Sequence, residues 1–471
     1  RDATGRYPKL PLPPIPEVSS FKREIMDAKK DSPFGFKDPI MLRVDLFSWY
    51  DDYADAMNDL GVYWMEPAAT FVFSWAEVQK KNPDGTYAPY NWDRYDRLVK
   101  NAQAHNIHIS AIISAAEPKS GIAGRIVPSL PTDMEGFRAF VYAAVERYDG
   151  DGKDAMPGLL YPIKRWKIED EPFSSMFFQG TGSDYAVLLK NAYDSIKSAD
   201  HEAVVICAMI YATHGPIGTS DSERFLTDFF SKLSEITKNR PYDIIDEHWI
   251  AIDSERSKES EYALIRNQII LVNKTASRYG FRPAPFESLE VAVTATDEST
   301  QAKNIIKHHA YGLALGLKKI FWSGIKAVSD SGLAKKGLPN DAFRANAIIN
   351  GDDTRRLAYY SYKKMVDILK DAEWDRTELI QEQEGVYIVK FYAGKPVWII
   401  WNDSGRSRKV TITLPNSQDK VRITKFVPSK NLGGDVLDYN TAFREESRQL
   451  QGGVLELSLN DDTPLFVNVL K

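Results

Sequence analysis

The sequence predicts a (β/α)8 barrel, a parallel α/β fold, followed by a small antiparallel β-sandwich. Three observations carry that reading. Eight short apolar runs each lead into an amphipathic stretch. The helical periodicity stops near Leu379, and only short strands follow. At 471 residues the chain also exceeds what one ordinary core holds. Strands that alternate with helices form a parallel sheet covered on both faces, and eight such pairs imply closure into a barrel.

In chain order, residues 1–34 are expected to form a proline-rich arm (YPKLPLPPIPEV at 7–18) that lies extended on the surface. MLRVDLF (41–47) is the expected first strand, and DDYADAMNDLG is a helix stopped by Gly61. The second strand is expected over 62–68. The helix at 91–106 puts Tyr95, Leu98, Val99 and Ala102 on one face. Further strands are expected at 107–114, 163–172, 203–210, 242–250, 282–291 and 318–325, each followed by a helix. The last of these helices covers 357–369. The barrel is thus assigned to 35–375. In 376–471, VYIVKFYAGKPVWIIWND reads as a hairpin, and four further short strands complete a sandwich.

Composition narrows the function. Acidic and basic residues number 65 and 60 and are well mixed, for a net charge of −5. No basic stripe points to nucleic acid. No apolar run reaches the roughly 18 residues that span a bilayer. The one cysteine, Cys207, sits in the apolar run AVVICAM and reads as a core residue, so no intrachain disulfide forms. The chain begins at Arg1 with no signal-like segment, so a processed or trimmed N-terminus is expected. Composition leaves the oligomeric state open. The ten Trp and 23 Tyr fit core packing, and also fit a sugar cleft, where aromatic faces meet the apolar face of a pyranose.

Such a barrel carries its chemistry at the C-terminal ends of its strands. The fourth strand ends in Glu169, Asp170, Glu171 and Pro172, and the sixth in Asp246, Glu247, His248 and Trp249. The seventh carries Glu287 and Glu290, and the eighth ends near Trp322. Acidic groups gathered at one rim repel one another and are costly unless they serve a purpose. Glycoside hydrolysis needs two carboxyls, one to protonate the leaving oxygen and one to attack the anomeric carbon. Strands four and seven lie across the rim from one another, so their carboxylates can straddle a sugar. Glu287 and Glu290 differ by three positions, so a regular strand turns only one of them inward.

WKIEDEP (166–172) resembles the strand-four signature W-x-I-x-N-E-P of clan A glycoside hydrolases. The resemblance implies that Glu171 is the acid/base. It implies that the nucleophile ends strand seven, where Pro285 followed by Glu290 fits the spacing, with Glu287 as the alternative. The strand-two region from Gly61 to Ile107, the DEHW and IFWSGI segments and the C-terminal strands are similar to the clan as well. They imply that Asp170, His248, Trp249 and Trp322 hold the sugar and that Glu66 supports the site. The implied function is retaining hydrolysis of β-glycosidic bonds in an oligo- or polysaccharide. No cofactor or metal is implied, and secretion is an expectation by analogy.

Three positions depart from the clan's pattern: Asp170 replaces Asn, Glu66 replaces Arg, and Leu289 replaces Thr or Ser. Asp170 beside Glu171 is expected to raise a carboxyl pKa by like-charge repulsion. Glu66 is either catalytic support or the partner of a rim arginine such as Arg43. His248 has structural and metal-ligand readings beside the sugar-binding one, and for Trp249 and Trp322 packing is a reading of equal weight. Two other functions compete: a non-catalytic carbohydrate-binding protein, and a metal-dependent enzyme using Glu169, Asp170, Glu171, Asp246 and His248.

Overall fold

The computed structural model describes residues 30–38, 48–67, 72–120, 126–208, 220–251, 258–293, 295, 297–327, 346–414, 420–450 and 452–470. Eight parallel strands form a closed ring. They are β1 (Phe34–Asp38), β2 (Trp64–Pro67), β3 (His108–Ile109, continued by Ala111–Ser114), β4 (Arg165–Ile168), β5 (Val204–Cys207), β6 (Ile244–Asp246, continued by Trp249–Ala251), β7 (Phe286–Val293) and β8 (Ile320–Ser323). Each pairs in parallel with the next, and β8 returns to β1 through Phe34 beside Ile320 and Lys37 beside Ser323. The helices are α1 (Ser48–Leu60), α2 (Asp93–Ala104), α3 (Met134–Tyr148), α4 (Gly182–Ala199), α5 (Ser220–Ile236), α6 (Lys258–Arg278), α7 (Glu298–Ala314) and α8 (Leu357–Leu369). The expected arm and the strand expected at 41–47 lie outside the described residues; the first barrel strand is β1, earlier in the chain.

Strand alternation divides the core in two. Phe34, Phe36, Trp166, Ile168, Val205, Cys207, Ile320 and Trp322 point out to the helices. Trp64, Ile206, Leu289 and Phe321 fill the barrel interior. Gly35 makes room for that filling: a Cβ there would stand 2.2 Å from the Phe321 ring. Side chains cap the N-termini of α3, α4 and α7. At α4, Thr181 accepts from the Asp184 N–H while the Asp184 carboxylate accepts from the Thr181 N–H.

The C-terminal strands are β9 (Glu378–Gln383), β10 (Val386–Ala393), β11 (Lys395–Asn402), β12 (Arg408–Thr413), β13 (Lys420–Lys425), β14 (Glu445–Gln449), β15 (Val454–Leu459) and β16 (Leu465–Val469). Six of them make an antiparallel sheet in the order β9-β10-β11-β16-β13-β14, and β12 pairs with β15 to cover one face. Two of the eight, β9 and β14, were not expected. Both are polar strands with no buried residue, so they lack the apolar alternation that marks the others.

At β10 and β11 the larger sheet is buried on both faces, which explains their unbroken apolar runs. Val386, Ile388, Trp398 and Ile400 face β12 and β15. Tyr387, Val389, Phe391, Ile399 and Trp401 join the barrel's helices in one core. The Tyr387 ring lies 4.9 Å from the Tyr262 ring of α6. Buried charge also crosses the junction: the Lys307 ammonium of α7 lies 2.6 Å from Asp403 and 3.3 Å from Asp462. Removing one partner of a buried pair strands the other charge. Asp403→Ala is therefore expected to lower unfolding stability by about 3 kcal/mol, measured by denaturant titration, with barrel and sandwich losing stability together.

Candidate active site

The inward-facing polar residues stack in three levels. At the bottom, Arg165 of β4 forms an ion pair with Glu287 of β7. Trp64 lies beside it, with the Arg165 guanidinium 5.6 Å and the Lys319 ammonium 4.1 Å from its ring centre. Glu287 is thus held deep in the barrel and not at its mouth. In the middle stands the fully buried Lys167 of β4. It donates to Glu66 at 2.6 Å, to Asp170 at 2.8 Å and to Asp246 at 3.0 Å. At the mouth are Asp170, Glu171 and Glu290, whose side chains are 20%, 11% and 14% exposed.

Two backbone irregularities build the mouth. β7 shifts register between Ser288 and Val291, so three of its residues span two of β8. Such a bulge resets the alternation. Glu287 and Glu290 therefore both face inward, at different depths, where a regular strand would admit only one of them. After β4, Glu169 and Glu171 adopt positive φ angles of 59° and 43°. Non-glycine residues rarely occupy this region, and strain of this kind persists where surrounding contacts hold it. The turn aims Glu171 at His248.

His248 is the hub. Its Nδ1 lies 2.8 Å from Glu171 Oε1 and 3.5 Å from Glu290 Oε2. Its Nε2 lies 3.2 Å from Asp246 Oδ2 and 3.6 Å from Asp170 Oδ1. The second Asp246 oxygen accepts from the Leu289 N–H at 2.8 Å. Lys37 of β1 closes the circle. Its ammonium lies 2.8 Å from Glu290, 2.9 Å from Asp170 and 3.4 Å from Glu66. Ser323 stands 3.5 Å from the other Glu290 oxygen.

These contacts set the charges. Burial disfavours an ionised Asp170, but Lys167, Lys37 and His248 outweigh it and hold the carboxyl well below its usual range. Burial and Asp170 push Glu171 up, yet the hydrogen bond and charge of His248 bring it below the ordinary value. The expected like-charge push from Asp170 is present at Glu171 but is outweighed by His248, so the net shift is downward. Burial works against an imidazolium at His248, as does Lys37, but Asp246 and Glu171 prevail and push its pKa to about 10. Glu66, under the mouth, is raised to about 7 by burial, only partly offset by Lys167 and Lys37. It contacts these lysines and has no exposed surface toward the opening.

Among the described residues, two groups of three place ligand atoms within 4.8 Å of one another: Asp170 with Asp246 and His248, and Glu171 with His248 and Glu290. Lys37 and Lys167 already contact Asp170, Asp246 and Glu290, so an ion entering either group would compete with the protein's own ammoniums.

Trp249 and Trp322, expected beneath the sugar, are fully buried on the helix side of the barrel. Trp249 packs 4.5 Å from the His308 ring and donates to the Glu261 carbonyl. Trp322 stacks on His309 and donates to the Asn346 carbonyl. Both are packing residues, because their strands turn the adjacent polar positions inward. Lys37 and Lys167 were not anticipated. The signal available for them was a lysine standing between apolar neighbours, in FGFKD and RWKI.

The His248 pairing is a stability term. An unfolded histidine titrates near 6.5 and the folded one near 10, so the contribution is full below pH 6.5 and is lost as pH rises through 10. The stability difference between wild type and His248→Asn, measured by urea unfolding, is expected to shrink steadily across that window.

Neither a protein-family model nor a curated protein matches the sequence. Solved structures do match its fold. A family 39 glycoside hydrolase from Bacteroides cellulosilyticus WH2 superposes with a TM-score of 0.62 at 13% identity, over 97% of this chain and 83% of that one. A glucosidase from Croceicoccus marinus gives 0.61 at 13% identity, over 93% and 95%. A family 39 β-xylosidase from Caulobacter crescentus gives 0.58 at 15% identity, over 94% and 97%. The chain has the barrel-and-sandwich fold of these clan A glycoside hydrolases.

Proposed function

We propose that this protein is a glycoside hydrolase that cleaves β-glycosidic bonds with retention of configuration. One observation carries the reading: an oxygen of Glu171 and an oxygen of Glu290 converge on the same His248 nitrogen and lie within 4.8 Å of one another. Retaining enzymes hold their two carboxyls about 5–5.5 Å apart, whereas inverting ones leave about 6.5–9.5 Å for a water. Glu290 is the nucleophile. The Lys37 ammonium lies 2.8 Å from one of its oxygens and the Ser323 hydroxyl 3.5 Å from the other. Glu171 delivers a proton to the leaving oxygen, then takes one from the water that releases the sugar. Asp170 lies beside both and is the group placed to accept a hydrogen bond from the bound sugar.

The fold neighbours named above as a glucosidase and a β-xylosidase support a β-linked glucose or xylose unit as the substrate class. Glu287 is bound to Arg165 below the throat and takes no part in the chemistry.

Panels of aryl β-glycosides test this. Glu290→Gln is expected to reduce turnover to background. Glu171→Ala is expected to lose about a thousandfold on unactivated substrates and, on activated aryl glycosides whose leaving groups need no proton, to regain rate when azide is added. Proton NMR of the first-formed sugar is expected to show the β-anomer. Full activity of Glu171→Ala, or a first-formed α-anomer, would overturn the proposal.

A further inference from the structure

We infer that His248 stores the proton that Glu171 delivers, so that the acid of this site is a buried histidine–glutamate pair and not a lone carboxylic acid. The inference rests on the two-carboxylate reading above and goes beyond it.

The geometry is that of a relay. Glu171 Oε1 is the nearest carboxylate to Nδ1, at 2.8 Å, and Asp246 Oδ2 is the nearest to Nε2, at 3.2 Å. The ring has no exposed surface, so Glu171, which is 11% exposed, lies between it and the opening. Asp246 is fixed by the Leu289 N–H and by Lys167, which orients the ring from behind. Among the described residues, Asp246, Asp170, Glu171, Glu290 and Lys37 face the imidazole. Four carboxylates against one ammonium favour the imidazolium, in line with its raised pKa and the lowered one of Glu171. The resting acid residue is therefore a carboxylate, and a carboxylate alone has no proton to give. Strongly coupled neighbours of this kind titrate as a pair.

The steps balance. As the C1–O bond breaks, its electron pair stays on the leaving oxygen, and a Glu290 oxygen bonds C1. Nδ1 passes its proton to Glu171 as Glu171 passes one to the leaving oxygen, so Glu171 ends the step as a carboxylate and His248 as a neutral imidazole. In the second step water bonds C1 and Glu290 departs. The water proton passes to Glu171 and back to Nδ1, restoring the imidazolium. His248 never touches the sugar and acts through Glu171.

The test compares kcat/KM for two glycosides of one sugar. The alkoxide leaving group of an alkyl glycoside needs a proton, and that of a dinitrophenyl glycoside does not. His248→Asn keeps a side-chain N–H near Glu171 but cannot store a proton. It is expected to lose about a hundredfold more on the alkyl glycoside, and to lower the pH at which the basic limb of the wild-type profile falls. Equal losses on both glycosides would mark His248 as structural and overturn the inference while leaving the glycosidase reading intact. No turnover of either glycoside by wild type would contradict both. Nitrogen-15 NMR of the wild-type protein gives a second readout that needs no folded variant. At about pH 8.5, where ordinary histidines are neutral, one imidazolium is expected to remain; none remaining would overturn the inference.

Discussion

The structure depends on the neutralisation of buried negative charge by two lysines. Five acidic residues, Glu66, Asp170, Glu171, Asp246 and Glu290, gather in the throat of the barrel. Carboxylates at this density cannot stay ionised in a low-dielectric interior without cations in contact. Lys37 and Lys167 supply those contacts, and each touches at least three charged partners. His248 adds a third positive charge at the point where the two mouth carboxylates meet. The arrangement also answers the three departures from the clan's sequence pattern. Glu66 and Asp170 bring negative charge where the clan has Arg and Asn, and the lysines restore the balance from β1 and β4. Leu289 fills the barrel interior, while its backbone N–H holds Asp246.

Position follows from small distortions of a regular barrel. The bulge in β7 lets Glu290 face inward above Leu289, and the left-handed turn after β4 brings Glu171 to the same imidazole. Below them Trp64, Ile206, Leu289 and Phe321 form an apolar plug. The plug separates the mouth from the Arg165–Glu287 pair, so the same strands carry a structural ion pair at one depth and the candidate chemistry at another. This is the division of labour expected between the N-terminal and C-terminal halves of such strands.

Much of the architecture was legible in the sequence because it rests on periodicity. Helical stripes such as Tyr95, Leu98, Val99 and Ala102 announce themselves, and eight of them between apolar runs leave few folds to consider. WKIEDEP placed Glu171 and Asp170 at a strand end, and DEHW did the same for His248. What could not be read depends on phase. A barrel strand is buried on both faces, so an unbroken apolar run does not reveal which residue turns inward. Trp249 and Trp322 were expected at the site for that reason and face the helices. The bulge leaves no compositional mark, so the inward aim of both Glu287 and Glu290 was hidden. Lys37 was obscured because the first strand was expected at 41–47, and Lys167 because a lysine usually signals solvent.

The central claim is that Glu290, held by Lys37 and facing Glu171 across His248, attacks the anomeric carbon. Trapping tests it most directly. A panel of 2-deoxy-2-fluoro β-glycosyl fluorides slows the release of any covalent glycosyl-enzyme, and peptide mass spectrometry then locates the sugar. The account predicts one sugar per chain, ester-linked to Glu290. A label on Glu287 or Asp170, or turnover with no covalent species and an inverted product, would contradict it.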